Sequence, residues 1–371
     1  MSGSENKKLV SKVDVDNITK QISYDFDIDF DGISTFEPLI KYEHGTEFNI
    51  GLIVGSSGGG KSTLLREYGT EIPYDWYNTK TIASNFSTYE NAQSAFMGVG
   101  LNTVPVWLKP FNVLSNGERY RADMAIRIKD GAVFDEFTSI VDRPTAKSMS
   151  NALGKYIRKM DYKGIVLASP HKDIIEYLQP DWVYDVDTKE ITLKDSLRKR
   201  PDIEIKFKRG EKHLWDLFSK HHYISSELNK ASDVYTAYWE GVLVGFDSVL
   251  PMPSGTLKNA FREHRLVVFP EYQGFGFGKA ITNAIGQYYK NEGKLFYSKT
   301  AHPKLGMYRE KSPLWEGTSK NRVQRSESES RQKNFTDWKV ITDKLAYSHK
   351  YIGDIKVTNI DTKIMEELDE W

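Results

Sequence analysis

Apolar runs and alternations divide the chain into predicted elements before any motif is considered. Phe26 to Phe36 alternates apolar residues with aspartates and predicts a half-exposed strand. Gly51-Leu-Ile-Val54 is an unbroken apolar run, the pattern of a buried parallel strand, and Ser62 to Glu67 reads as the start of a helix. Lys80 to Asn85 predicts a strand and Tyr89 to Met97 a helix; Gly131 to Phe137 and Gly164 to Ser169 predict two more buried strands. Farther on, Ile203 to Phe207 alternates as a strand. Leu214, Leu217 and Phe218 form the apolar face of an amphipathic helix over Glu211 to His222. Val234 to Trp239 and Val242 to Val249 flank Glu240-Gly241 as a hairpin. Arg265 to Pro270 predicts a strand, a helix follows to Tyr289, and Lys294 to Thr300 predicts another strand. The tail from Ile360 is acidic and helical in pattern.

Residues 1–20 are polar and predict a loosely held terminus. Lys194, Arg198, Lys199, Arg200 and Pro201 gather within residues 191–203 and mark a domain boundary. The expected organisation is a flexible terminus (1–20), an α/β domain (21–195), a basic linker (196–202), an α+β domain (203–350) and a C-terminal extension (351–371).

Composition changes this picture little. With 371 residues, 39% hydrophobic and 27% charged, the chain has ample material for large cores. It has no cysteine, which excludes disulfides, thiolate nucleophiles and Cys-ligated zinc and is compatible with a reducing compartment. Met1-Ser-Gly-Ser-Glu-Asn lacks the apolar stretch of a leader peptide, and no run approaches the roughly 18 apolar residues of a membrane span; the expectation is a soluble cytoplasmic protein. Net charge is zero but uneven, about −6 over residues 1–190 and about +6 over 191–371. The basic excess gathers at Leu197–Arg200 and between His302 and Lys333. Such runs serve as solvated faces or as a surface for nucleic acid, DNA or tRNA.

Two stretches carry chemistry. The first is Gly55-Ser-Ser-Gly58-Gly-Gly60-Lys61-Ser62-Thr63, a complete Walker A pattern between a strand and a helix. Its glycines let backbone N–H groups turn toward phosphate oxygens, Lys61 can reach the β- and γ-phosphates of ATP, and Ser62 can ligate Mg²⁺. Gly55, Ser56, Gly58, Gly60, Lys61, Ser62 and Thr63 are therefore candidate nucleotide contacts. Asp135-Glu136 ends the later strand as a Walker B pair: Asp135 would hold Mg²⁺ through water, and Glu136 would orient or deprotonate the attacking water. Leu114-Ser115-Asn116-Gly117-Glu118 reads as a phosphate-touching loop that opens a helix, and His171, just past another strand, can sense the γ-phosphate. Tyr24 or Phe26 could stack on adenine; core packing is the plainer role.

In order and spacing these pieces resemble an ABC-type ATPase over roughly residues 25–190. Leu114–Glu118 looks like the family signature, with Asn116 and Glu118 in place of the usual Gly and Gln. Ser139-Ile-Val-Asp142 looks like its D-loop, and His171 like its switch histidine. The resemblance implies a homodimer through this domain, with Ser115 and Gly117 of one copy against the ATP on the other copy's Lys61. The interval from Lys61 to Ser115 is much shorter than in the family's transporters, so no membrane subunit is expected. Gln93, the only glutamine in that interval, reads as an exposed helical residue rather than a Q-loop.

The second stretch is Gln273-Gly274-Phe275-Gly276-Phe277-Gly278-Lys279, between a strand and a helix. Three glycines entering a helix again make an anion cradle. The spacing is not that of a Rossmann dinucleotide loop. It resembles the pyrophosphate loop of the GNAT acetyltransferases, after the expected strand end at Val268-Phe269-Pro270, and the match spans roughly residues 203–350. The resemblance implies acetyl-CoA, held by Phe269, Gln273, Gly274, Phe275, Gly276, Phe277, Gly278 and Lys279, with its pantetheine between two splayed strands. It also implies direct attack by an amine, Tyr308 as proton donor to the leaving thiolate, and His222, in His221-His222-Tyr223, as a relay for the amine proton. Packing and dipole stabilisation are the plainer roles for Tyr308 and His222. The leading reading is an ATPase joined to an N-acetyltransferase. The alternatives are a protein that binds or modifies nucleic acid and an ATPase with a non-catalytic acyl-CoA sensor.

Overall fold

The computed structural model describes residues 9–36, 47–222, 227–252, 257–324 and 345–355. The chain divides into two compact units, Met1–Pro201 and Asp202–Trp371.

The first unit opens with a hairpin of β1 (Leu9–Lys12) and β2 (Ile33–Phe36) around helix α1 (Asn17–Phe26). The expected loose terminus and the long Phe26–Phe36 strand are thus both revised. Asp16 caps α1 by accepting from the Thr19 N–H at 2.8 Å, Asp27 ends it in the left-handed region, and only Ile33–Phe36 pairs as a strand. Tyr24 and Phe26 lie on α1, 84% and 71% exposed, so neither packs in a core.

The main sheet of this unit takes β3 (Ile50–Val54), β4 (Val133–Phe134), β5 (Ile165–Ser169), β6 (Trp182–Asp185) and β7 (Glu190–Leu193) in the order β4-β5-β3-β6-β7. Every pairing is parallel except that of β7 at the edge. Its central strands are unbroken apolar runs because both faces are covered. Ile50, Leu52 and Val54 meet α3 (Tyr89–Gly98), α4 (Val104–Trp107), α5 (Asn116–Arg127) and α6 (Arg143–Met160). Ile53 and Val166 meet Leu64 and Leu65 of α2 (Lys61–Leu65) on the other face. Helix α7 (Ile175–Leu178) completes the unit.

Two predicted strands are reduced. Around Lys80–Asn85 the chain makes one 3₁₀ turn, Ala83–Asn85, because the Asn85 amide donates to the Thr81 carbonyl at 2.9 Å and Thr81 Oγ1 accepts from the Ser84 N–H, satisfying the backbone locally. Gly131–Phe137 pairs only over Val133–Phe134, because the Asp135 N–H turns to Glu71 at 3.0 Å. The expected linker is also not free over its length: Leu197 packs on the first core, and Arg200 donates to the Tyr177 carbonyl at 3.1 Å.

The second unit is one sheet of β8 (Lys206–Arg209), β9 (Asp233–Trp239), β10 (Val242–Pro251), β11 (Ala260–Val268), β12 (Leu295–Thr300), β13 (Trp315–Gly317), β14 (Val323–Gln324) and β15 (Leu345–Tyr351). The order is β13-β15-β12-β11-β10-β9-β8, with β14 also on β15. The Glu240-Gly241 hairpin forms with both residues at positive φ, 50° and 80°, as a two-residue turn requires. Helix α8 (Trp215–Ser219) packs on Phe246 and Val267. On the opposite face lie α9 (Phe277–Asn291) and α10 (Pro303–Lys311). The expected Glu211–His222 helix shortens to α8 preceded by a 3₁₀ turn. The sheet continues past residue 350: Tyr351 pairs in β15 and donates to Gln287 on α9 at 3.1 Å, so the C-terminal extension begins later than its composition predicts. No helix among the described residues is long and apolar enough to cross a membrane.

Trp182, wholly buried, lies across β3 where Gly51 leaves no side chain; a Cβ on Gly51 would come within 2.1 Å of the indole. Gly51→Ala is therefore expected to destabilise the first unit by about 1–3 kcal/mol through overpacking, and Trp182→Leu in the same chain to recover part of the loss. Thermal unfolding of the three proteins checks this; an unchanged midpoint for Gly51→Ala would contradict the packing described.

Candidate functional site

In the first unit, parallel order places three of the predicted groups on one edge. Gly55 follows β3, Asp135 follows β4 and His171 follows β5, and these strands are neighbours. Gly60 caps α2 in the left-handed region (φ 89°, ψ 11°), and a Cβ on Gly58 would meet nothing within 4 Å, so the bend is open there. Lys61 is 5% exposed, and its ammonium donates to the Gly55 and Ser56 carbonyls at 3.0 and 2.7 Å. Helix α2 is only five residues long, so attraction for an anion rests on Lys61 and loop amides rather than on a long dipole. Ser62 and Thr63 are half-buried in its first turn. Ser56 is already engaged: its hydroxyl and N–H donate to the Asp187 carboxylate at 2.7 and 3.0 Å.

Past β4 the backbone is strained. Glu136 and the fully buried, β-branched Thr138 both adopt positive φ, 49° and 72°. The conformation is held by the Phe137 N–H on the Ala168 carbonyl at 2.7 Å. Thr138 Oγ1 also contacts Ser169 Oγ at 3.2 Å and His171 Nδ1 at 3.0 Å. Burial, then the charge of Arg143, lowers the His171 pKa, which favours a neutral ring. Asp135 Oδ1 accepts from the Glu136 N–H at 2.8 Å, and the residue is half-exposed. At Ser115 the predicted phosphate contact is answered internally. Its N–H donates to Glu118 Oε2 at 2.8 Å and its hydroxyl to the same oxygen at 2.9 Å, a capping box that opens α5. Gly117 follows in the first turn. Gln93 bonds Tyr89 within α3.

In the second unit, β11 and β12 pair in parallel only at Ala260–Leu295, Phe261–Phe296 and Arg262–Tyr297. Beyond that point β11 pairs only with β10, and β12 only with β15, so a notch opens between them. Side chains close its foot. Arg309, fully buried on α10, donates to Glu263 Oε2 at 2.8 Å and Thr282 Oγ1 at 2.7 Å, and also bonds Ser298, which in turn bonds Glu263. The Arg309 guanidinium lies 4.5 Å over the Trp315 ring. Asp247, also fully buried nearby, is pushed well above the usual carboxylate range by burial and by Glu263.

The glycine bend stands at the open end of this notch. Gly276 caps α9 in the left-handed region (φ 98°, ψ 12°). A Cβ on Gly276 would meet nothing within 4 Å, and one on Gly278 only a methyl of Val268 at 3.9 Å. Among the described residues the N–H groups of Gly276, Phe277 and Gly278 have no acceptor, so the bend offers open donors to an anion. Gln273 donates to the Val268 carbonyl at 2.8 Å, fixing the turn after Phe269 and ahead of Gly274. Phe275 and Phe277 point into the core, 5.0 and 5.6 Å from Trp239, so these side chains anchor the loop and only their backbone faces a ligand. Lys279 is exposed, its ammonium 4.7 Å from the Tyr308 ring. The Tyr308 hydroxyl accepts from Asn283 at 2.7 Å, which leaves its own proton free to be given. His222 lies just past α8, 5.7 Å from Trp215, on the other face of the sheet. Phe269 stacks on Phe218 at 4.1 Å.

Sequence reasoning passed over Asp247, Glu263, His264 and Arg309; the signal was charged residues inside otherwise strand-like or helical runs. Tyr223, the basic positions Arg325, Arg331 and Lys333, and the tail from Ile360 lie outside the described residues.

Residues 195–310 match the model of the acetyltransferase (GNAT) family. Solved structures that match part of the chain include a Bacillus subtilis acetyltransferase in complex with CoA (16% identity, 40% of this chain and 98% of that one, TM-score 0.30). Others are an IAA acetyltransferase from Bacillus cereus (15%, 40% and 98%, 0.28) and the ribosomal-protein-S18-alanine N-acetyltransferase from Escherichia coli (11%, 40% and 92%, 0.29). No curated protein matches the chain. Over residues 195–310, the chain carries a GNAT acetyltransferase domain.

Proposed function

We propose that the protein is an acetyl-CoA-dependent N-acetyltransferase joined to an ATP-hydrolysing unit of ABC type. The transferase reading is carried by one observation: an open glycine bend with free amides stands where β11 and β12 part. Acetyl-CoA would supply the thioester. The amides of Gly276, Phe277 and Gly278 would hold its pyrophosphate, and the notch would take its pantetheine. In attack of an acceptor amine on the thioester carbonyl, with loss of the C–S bond, the Tyr308 hydroxyl would give its proton to the departing sulfur. The amine's proton leaves by way of His222. No enzyme nucleophile is needed, in keeping with a chain that has no cysteine.

The ATPase reading is supported by the complete Gly55–Ser62 pattern, by the shared strand edge that gathers Lys61, Asp135 and His171, and by the strained turn at Glu136 and Thr138. In that reading, Ser62 and Asp135 would hold Mg²⁺, Glu136 would direct water at the γ-phosphate, and two copies would pair across the nucleotide. Pairing would require Glu118 to release Ser115.

Gly278→Asp should leave thermal stability unchanged or slightly raised, since an acid suits the first turn of α9. Its charge opposes a pyrophosphate, so acetyl-CoA affinity, read by calorimetry, should fall at least about tenfold. Undiminished affinity would remove the bend from the site. For the first unit, Lys61→Ala and Glu136→Gln should each lower phosphate release from Mg-ATP by about 10²-fold or more, with acetyl-CoA affinity unchanged. Phosphate release by the native chain no faster than by Lys61→Ala would refute the ATPase reading.

A further inference from the structure

The transferase reading leaves the acceptor open, and the face of the sheet carrying α8 restricts it. Opposite β10, Ser248 pairs with Arg265 and Val249 with Glu263, so His264 is the extra residue of a β-bulge. Val267 packs in the α8-side cluster, and Arg265, two residues earlier, shares that face. The bulge therefore turns a histidine and an arginine toward the side where His222 stands, at the level where β11 has left β12.

Among the described residues, neither side chain of this pair bonds a carboxylate. The Arg265 guanidinium is pinned by donation to the His264 carbonyl at 2.9 Å and the Glu227 carbonyl at 3.2 Å. Its Nε is buried without a partner among the described residues. Burial is the only influence on its pKa, which falls; no carboxylate draws it back. His264 faces donors at both ring nitrogens: Arg265 Nη1 is 3.3 Å from Nδ1, and the Asn229 N–H is 3.4 Å from Nε2. Burial, then Arg265, Arg262 and His222, hold its pKa down at about 4, so the ring is neutral. A neutral imidazole still carries one N–H, and among the described residues neither ring nitrogen meets an acceptor. Acids do lie in the neighbourhood, but each is placed otherwise. Glu263 belongs to the Arg309 clamp on the other face, Glu271 acts on His221, and Glu227 meets Arg265 through its backbone. The site is rich in donors and cationic, and among the described residues no carboxylate bonds Arg265 or His264.

We propose that the acceptor is an amine bearing a neighbouring carboxylate or phosphate, and that Arg265, with His264 beside it, holds that anionic group on the α8 side of the notch. A pinned, partly desolvated guanidinium suits either anion. The same positive surroundings disfavour an ammonium and so help the amine reach the thioester unprotonated, while a purely cationic acceptor would be repelled. This inference rests on the transferase reading for its role but not for its test.

The test uses the full chain and side-chain ¹H–¹⁵N spectra of its histidines at constant ionic strength. Inorganic phosphate and acetate are titrated separately, with and without saturating CoA. One or both should shift the His264 signals with a Kd of about 1–10 mM, and the preferred ion identifies the class of anion. Arg265→Gln should weaken that binding at least tenfold and Arg265→Lys less, whereas Gly278→Asp should leave it intact. The proposal is overturned if neither ion shifts His264 in the native chain, if Arg265→Gln binds as well as native, or if CoA displaces both ions, since the site would then serve the cofactor. Failure of acetyl-CoA to bind would sink the transferase reading alone, because the anion titration is read at His264 regardless.

Discussion

The second unit depends on where β11 and β12 stop being partners. A parallel pair broken after three residues would leave two unsatisfied strand edges inside a sheet. The structure prevents closure and collapse alike with one side chain. Arg309 bridges Glu263 on β11 and Ser298 on β12, next to the last paired residues, Arg262 and Tyr297. The clamp holds the strands together at the foot and fixes the divergence above it. Burying an ion pair is costly, and this one is offset by multiple hydrogen bonds from Arg309 and by the Trp315 ring beneath it. A hydrophobic pair of equal volume could serve stability as well. It would not set the angle at which the strands part.

The two bends are nearly the same piece of backbone. Gly60 and Gly276 each cap a helix at φ 89–98° and ψ near 11–12°, each after an apolar strand. Only a residue without Cβ adopts that conformation cheaply, and the turn directs the next N–H groups away from the strand. The helices they open are unlike. Helix α9 is fifteen residues long and its dipole adds to the cradle, whereas α2 ends after five and Lys61 must supply the charge.

Legibility in the sequence tracked the range of the interactions involved. Strands β3 and β5, the Glu240-Gly241 hairpin and both glycine bends were readable because their signals are local: apolar runs, turn residues, glycine spacing. Lys80–Asn85 misled because Thr81 and Asn85 satisfy the backbone through side chains, which periodicity does not register. The strand at Gly131–Phe137 ended early for a tertiary reason, the pull of Glu71 on the Asp135 N–H. The Arg309 clamp joins residues 46 positions apart, and the bulge at His264 exists only relative to β10. Nothing in the order of residues announces either, although a charged Glu263 within a strand is itself a departure from pattern that asks for a partner.

The two units differ in how their anion-contacting groups wait for a ligand. In the first, carboxylates of the chain already sit on the groups in question: Asp187 on Ser56, Glu118 on Ser115. An incoming phosphate there exchanges one charge-assisted hydrogen bond for another, so the net gain is small, and binding must be driven by Lys61 and the amides around Gly58 and Gly60. In the second unit, among the described residues, the amides of Gly276–Gly278 and the guanidinium of Arg265 bond no carboxylate, so a ligand there has no carboxylate to displace. The donor-rich bulge lies near the middle of β11, and the open bend follows that strand, after a 3₁₀ turn, at the start of α9. Strand β11 thus carries the bulge and one wall of the notch, and the chain that leaves it forms the bend.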